Sequence, residues 1–388
     1  MKKLLFITDN KIKGVGGGCL GSRKYFDALN TYCIKKRYDF KVVSLDNDMD
    51  ERLPIEIYKT RSIDILSRLY GHSTYLYYIL KGQFERIIEY EPDYIFLGRT
   101  RLGFIAKYIK KFLPKTKIVV FVDNIEFDYV DSYFSRKNGI LGSIVKCLER
   151  YVVKRDESDS VKFCDKLIYL TNRDCLRVQH LYKYYDQDPK ILPVCLPDEQ
   201  KLTINSSKKN VYFIGSLNYG ANIDAVEHFI NHIWTPFFGN HKDISLIIAG
   251  SNPVKEIKEI VNKSDNILLI ENFDDVRTFI SRKSLMIAPI AKGAGMKVKV
   301  ADTLSMGLMI VASDEALIGY EEGISCDQLH GIIRANTIDE YKKAITTYLE
   351  SSDEVLENIE HQNIEIFRRF YSFERSRQTI AQIIDYLN

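Results

Sequence analysis

The chain is poor in the residues that staple small secreted or metal-dependent proteins. Seven of its 388 residues are cysteine, and Cys19, Cys33, Cys147, Cys164, Cys175, Cys195 and Cys326 form no CxxC pair. That scatter offers neither a zinc knuckle nor a disulfide framework, and reduced thiols in a cytoplasm are the simplest expectation. Of seven histidines only His228 and His232 are spaced to share a helix face, with no third ligand nearby, so no metal is expected. Long apolar runs are missing too: no window approaches the ~18 residues that a membrane span requires. MKKLLFIT at the start has a basic opening, but its apolar run is short and meets Asp9 and Asn10, so it reads as a first strand rather than a signal peptide.

What is present fits a globular protein of two domains. Hydrophobic residues make up 45% and charged residues 28%, enough for two separate cores. Charge is unevenly spread: residues 1–190 carry a net +10 and residues 191–388 a net −7. The basic half is able to attract anionic lipid headgroups or an acidic acceptor. No nucleic-acid partner is expected.

Strand and helix patterns alternate through both halves. KLLFIT, FKVVSLD, YIFLG, KIVVFVD and KLIYLT are short and continuously apolar, as strands buried on both faces are, and amphipathic segments such as Ser22–Lys36 and Leu102–Phe112 separate them. A polar stretch with Pro193 and Pro197 follows, and then VYFIG, ISLIIAG, NILLIEN, LMIAPI and MIVAS begin a second series. The expected architecture is α/β, two doubly wound parallel sheets, with domains at 1–195 and 196–370 and a last helix over 371–388. Asn222 is expected to cap a helix reaching Trp234. The tyrosine-rich segment Ser73–Tyr90 suits either core or a membrane surface.

Met286–Ala312 carries the most chemistry. An apolar strand, a glycine turn with Lys297 and Lys299, a helix with Asp302 and a second strand bring amides, a helix N-terminus, an ammonium group and a carboxylate to one volume, with Lys299 expected to support packing or to be solvated. That set suits a nucleotide diphosphate whose ribose diol needs an acceptor. Lys297 would offset charge growing on a departing diphosphate, and Asp302 would accept from the ribose. Gly215 and Ser216 end a strand where a helix begins, so their amides are candidates for the phosphates, and Gly16, Gly17 and Gly18 form a loop open to close approach.

The order Gly293, Ala294, Gly295, Met296, Lys297, Val298, Lys299, Asp302 resembles the donor site of retaining GT-B glycosyltransferases of family 4, the glycosyl transferases group 1 type. GVGGGCLGSRKYFDAL, DNIEFDYV, TNRDCLRV, FIGSLNYGANIDAVEHFI and FYSFERSRQTIAQIIDYL extend the resemblance over most of the chain. It implies two Rossmann-like domains facing a cleft, a terminal helix crossing back to the first, and retention without a metal or other cofactor. The donor would be a nucleotide sugar, a UDP-sugar in the first instance, held by the second domain. The first would take a glycan, lipid-linked or protein acceptor, in surface polysaccharide synthesis at the inner membrane face. By the same resemblance Asn272 and Phe273 fall where the nucleobase is read, Met296 lies in the donor turn, and Asp123 stands where the family often has a histidine beside the donor sugar. Asn124 and Glu126 are acceptor candidates. The family's usual glutamate pair is Ala294 and the shorter Asp302 here.

Three other classes compete. Gly16, Gly18 and Gly21 satisfy GxGxxG with Asp46 after the second strand, a dehydrogenase pattern, although about seven residues separate Thr8 from Gly16 where that fingerprint allows almost none. Asp123 and Ala294 admit a catalytically silent partner of a glycosylation complex. The two-domain plan is shared by nucleotide-sugar epimerases.

Overall fold

The computed structural model describes residues 1–14, 17–134, 139–197, 201–202, 204, 208–293, 295–325 and 331–388. Two compact units emerge, Met1–Cys195 with Phe373–Asn388, and Leu196–Ser372. Each is built on a six-stranded parallel sheet.

In the first unit the strands are β1 (Lys3–Ile7), β2 (Asp39–Val43), β3 (Tyr94–Leu97), β4 (Lys117–Val122), β5 (Lys166–Tyr169) and β6 (Lys190–Ile191), in the order β2-β1-β3-β4-β5-β6. Their side chains divide by the pleat. Leu5, Ile7, Ile95, Leu97, Val120 and Leu167 enter one core, and Leu4, Phe6, Phe96, Val119, Phe121 and Ile168 enter the other. Both faces are buried, which is why these strands are apolar at every position.

Helices cover each face. Leu76–Leu80 and Gly103–Phe112 lie in the first core with Tyr75, Phe84 and Ile87, so the segment Ser73–Tyr90 is mostly interior. Gly103 sits directly on the long helix Ile140–Phe163: a Cβ there would lie 1.9 Å from the Asp156 carbonyl oxygen. The opposite core is closed by Gly17–Lys36 and the last helix, Phe373–Leu387. Phe373, Ile380, Ile383 and Ile384 pack with Tyr25, Leu29 and Tyr32, and Arg377 forks onto Asp27 at 2.8 and 3.0 Å. Burying four such side chains contributes about 1.5–3 kcal/mol each.

The second unit holds β7 (Asn210–Ile214), β8 (Ser245–Gly250), β9 (Ile267–Glu271), β10 (Ser284–Ala288), β11 (Met309–Ala312) and β12 (Ile332–Arg334), in the order β12-β11-β10-β7-β8-β9. The chain winds outward from β7 through β8 and β9, then restarts on the other side of β7 with β10. Strand order therefore reverses between β7 and β10, as it does between β1 and β3 in the first unit. In open parallel sheets ligands bind beyond the carboxyl ends of strands at such a reversal.

Candidate functional site

Beyond β7 the chain makes a tight passage. A Cβ on Gly250 would lie 1.8 Å from the Gly215 carbonyl oxygen, so the ends of β7 and β8 approach backbone to backbone. The Gly215 amide donates to Ala249 O at 3.0 Å, which occupies it within the sheet and corrects its expected role as a phosphate donor. Asn222 is corrected as well. It lies inside the first turn of Gly220–Phe229, with Tyr219 at the cap position, and its side chain works inward. Its Nδ2 donates to Ser216 O at 2.9 Å and its Oδ1 accepts from Lys299 Nζ at 3.2 Å, tying the turn after β7 to the segment after β10.

That segment brings both lysines to the reversal point. Gly295 takes a left-handed conformation at φ 66°, and the helix Val298–Ser305 begins directly after Lys297. Lys297 Nζ donates to Gly295 O at 2.8 Å and to Glu315 Oε1 at 3.1 Å, while its carbonyl accepts from Tyr320 OH at 2.8 Å. Lys299 Nζ stands 3.8 Å over the Phe213 ring, and a Cβ on Gly215 would come within 3.1 Å of it. Burial, and then the neighbouring Lys297 charge, push the Lys299 ammonium down to about 7. Lys297, paired with Glu315, and Lys299, whose charged form a nearby anion would favour, make a place prepared for an anion.

Asp302 lies on the same helix, half-buried, one turn beyond Lys299 and Val298. Burial first, and the Asp302 carboxylate further, hold the Tyr212 hydroxyl well above its usual range. The Met296 side chain is buried. Asn272 and Phe273 follow β9, two strands from β7. Asn272 adopts φ 50°, donates its amide to Gly250 O at 3.2 Å, and accepts from Asn252 N at 3.4 Å; Phe273 packs edge-on against Phe279.

The first unit has a charged cluster at its own reversal point. Arg99, after β3, has Nε 3.5 Å from Asp9 Oδ1 and 3.7 Å from Glu126 Oε1, and among the described residues none of these three buried atoms has a hydrogen-bond partner. Arg101 holds Glu126 at 2.7 Å and Glu149 at 2.9 Å. Glu126, the lesser candidate for an acceptor contact, is only 2% exposed and is held by these arginines in an interior ion pair. Asn124 is half-buried in the turn before helix Glu126–Phe134. The first amides of that helix donate to Glu157, at 3.0 Å from Glu126 N and 3.3 Å from Phe127 N, and not to Asp123.

Asp123 accepts from the Tyr25 hydroxyl, and its Oδ2 lies 3.0 Å from where a Cβ on Gly21 would be. Burial raises its carboxyl above the usual range, against the opposing Lys24 charge. Gly17 and Gly18 form the first turn of Gly17–Lys36 and not an open loop, with Gly18 O accepting from Asn10 Nδ2 at 3.1 Å; Gly16 and Ala294 lie outside the described residues. Asp46 is buried and accepts from the Ile12 and Lys13 amides. It clamps the turn after β1 and does not offer a carboxylate to a ribose, which counts against a dinucleotide fold. The His228 and His232 rings are 4.8 Å apart, and the described residues contain no group of three or more metal-type ligands.

Glu315, Asp9 and Arg99 have no role in the sequence reading, which takes Asn222 as a cap and Lys299 as a packing or solvated residue. Their partners are distant in sequence, and only the strand order reveals them.

Residues 208–351 match the family model described as glycosyl transferases group 1. An uncharacterized 44.6 kDa protein in the cps region of Klebsiella pneumoniae is 24% identical over 235 residues, 58% of this chain and 58% of that protein, so the match spans less than two thirds of the relative. Among solved structures, a glycosyltransferase from Rickettsia africae ESF-5 is similar over 98% of this chain and 97% of its own, at 13% identity and a TM-score of 0.64. Anabaena Alr3699/HepE in complex with UDP-glucose is similar over 100% of both chains, at 12% identity and a TM-score of 0.65. The trehalose-6-phosphate synthase OtsA is similar over 97% of this chain and 98% of its own, at 12% and 0.63. These likenesses establish the fold, two parallel six-stranded sheets with flanking helices, as GT-B.

Proposed function

We propose that this protein moves a sugar from a nucleotide diphosphate, a UDP-sugar in the first instance, to an acceptor, with retention and without a metal. The observation that carries the reading is the convergence of Lys297 and Lys299 on the reversal point of the second sheet, one helical turn from Asp302. The group 1 match covers all three residues, and HepE, of the same fold, is described in complex with UDP-glucose. In this reading the diphosphate meets Lys297 and Lys299, exchanging part of the Lys297 contact with Glu315 for phosphate oxygens, and Asp302 accepts from the ribose.

The bond from the anomeric carbon to the diphosphate breaks, its electron pair leaves with the phosphate, and the acceptor oxygen bonds to that carbon from the same face, as its hydroxyl proton passes to the departing phosphate oxygen. Lys297 stabilises the charge that grows there. Asp123, held by Tyr25, accepts a hydrogen bond from a sugar hydroxyl. The acceptor is a growing surface glycan or its lipid-linked precursor, in keeping with the cps-region relative, and the basic first unit meets a membrane face. No helix among the described residues is long and apolar enough to cross a membrane.

The test is a thermal-shift screen with UDP, GDP, ADP, CMP and NAD, with and without EDTA, on wild type and Asp302→Ala. A saturating nucleoside diphosphate should stabilise wild type by about 2–4 kcal/mol with EDTA present, and much less in Asp302→Ala. Sugar transfer should then vanish in Lys297→Ala at unchanged melting temperature. Stabilisation by NAD alone would sink the reading, and transfer surviving in Lys297→Ala would remove its catalytic role.

A further inference from the structure

The helix Ile140–Phe163 changes character along its length. Its buried residues, Val152, Val153, Asp156, Glu157, Asp159, Ser160 and Val161, all lie in the second half, while in the first half Ile140, Leu141, Ile144, Val145, Leu148 and Tyr151 are 44–83% exposed. At 100° per residue these six share one face of the first three turns. The acids are inward for a reason: Asp156 accepts from Ser73 N and Oγ at 2.7 Å and meets His72, and Glu157 holds the start of the next helix. Among the described residues of the first unit, nothing comparable explains the outward apolar side chains.

The apolar face continues beyond this helix. A groove of about 660 Å³ joins Val145 to Tyr133 and to Ile65 of the helix Arg61–Leu69, where Ile65 and Leu69 are also exposed. Its carboxylates at Glu149 and Asp64 are neutralised by Arg68, at 2.7 and 2.8 Å. Further along the same outward face the character changes. A cavity of about 420 Å³ is lined by Tyr151, Lys154, Arg155, Ser158, Tyr182 and Lys183, with three cations and no carboxylate. Apolar side chains followed by an uncompensated basic pocket on one helix face match a lipid surface with anionic headgroups: the aliphatic tips enter the acyl boundary and the cations meet phosphate.

We propose that this face is the protein's membrane-docking surface, with Ile140–Tyr151 inserted at the interface and Lys154, Arg155 and Lys183 on anionic headgroups. The proposal gives a location to the membrane contact of the functional reading, and rests on that part of it alone; it does not depend on donor chemistry.

Vesicle cosedimentation tests it. Wild type should bind phosphatidylcholine vesicles containing phosphatidylglycerol about tenfold or more tightly than pure phosphatidylcholine vesicles, and less tightly at high salt. Ile144→Asp with Leu148→Asp should lose binding to both, and Lys154→Glu with Lys183→Glu should lose only the preference for anionic lipid. All four positions are exposed, so melting temperatures and the nucleotide-induced thermal shift should stay as in wild type. Absence of vesicle binding by wild type, or equal binding by the Asp double variant, would overturn the proposal. So would a wild-type dimer in sedimentation velocity that the Asp variant dissociates while vesicle binding is unaltered, which would make the face a contact between copies. A lost nucleotide response with vesicle binding intact would instead count against the donor reading.

Discussion

Lys299 sits where the ordinary chemistry of a surface lysine is reversed. Burial, and then the nearby Lys297 charge, outweigh the Phe213 ring beneath its ammonium, so its proton leaves at about 7 rather than 10.5. Between those values the unfolded chain holds more protons than the folded one, and the residue's contribution to stability grows as pH rises through that window. Donor binding should run the opposite way. A diphosphate favours the charged form, so above about pH 7 binding must draw in a proton, and affinity for UDP-glucose should fall by up to about tenfold per pH unit toward pH 9. Calorimetry in two buffers of different protonation enthalpy should show uptake approaching one proton, and Lys299→Met should abolish both the uptake and the slope. A flat affinity profile in wild type would mean that the diphosphate does not meet Lys299.

At the scale of single elements, the helix Ile140–Phe163 is held inward by buried acids as well as by Val152, Val153 and Val161. Asp156→Ala would leave the Ser73 amide and hydroxyl and the His72 ring without their acceptor in a dry site, and urea denaturation should show a loss of about 2–4 kcal/mol. Asp64→Ala, at a half-exposed surface pair, should cost less than about 1 kcal/mol. The same helix shows where sequence reading ends. The buried strands were legible because a parallel strand covered on both faces is apolar at each position, as KIVVFV is. The first half of this helix has apolar residues facing out and the second buries acids beside valines, so its pattern does not show which face is core. The start of Gly17–Lys36 was hidden for a different reason: glycine is a poor helix former, and Gly17 and Gly18 read as loop. In the second unit the glycine turn and its lysines were visible as a motif, whereas the coupling of Lys299 to Asn222 and Phe213 spans separate strands and is invisible in any local window.

At the scale of the whole molecule, chain order and unit membership disagree. The first unit needs Phe373–Asn388 to close one of its two cores, whereas Leu196–Ser372 is continuous. Expressed alone, residues 196–372 should give a cooperative melt, while residues 1–195 should aggregate or melt broadly, having lost Phe373, Ile380, Ile383 and Ile384 from around Tyr25 and Leu29. Joining residues 373–388 to residues 1–195 through a flexible linker should restore the cooperative transition, and failure of that rescue would show that the last helix is dispensable to the core. A further consequence concerns the ribosome. Domains usually fold in the order they emerge, but here the unit made first must wait, with Tyr25, Leu29 and Tyr32 uncovered, until the whole of the other has been translated. At about 5–20 residues per second, the intervening segment keeps that apolar surface open for roughly ten seconds or more. During that interval the nascent chain is a natural client for a chaperone acting at the tunnel exit.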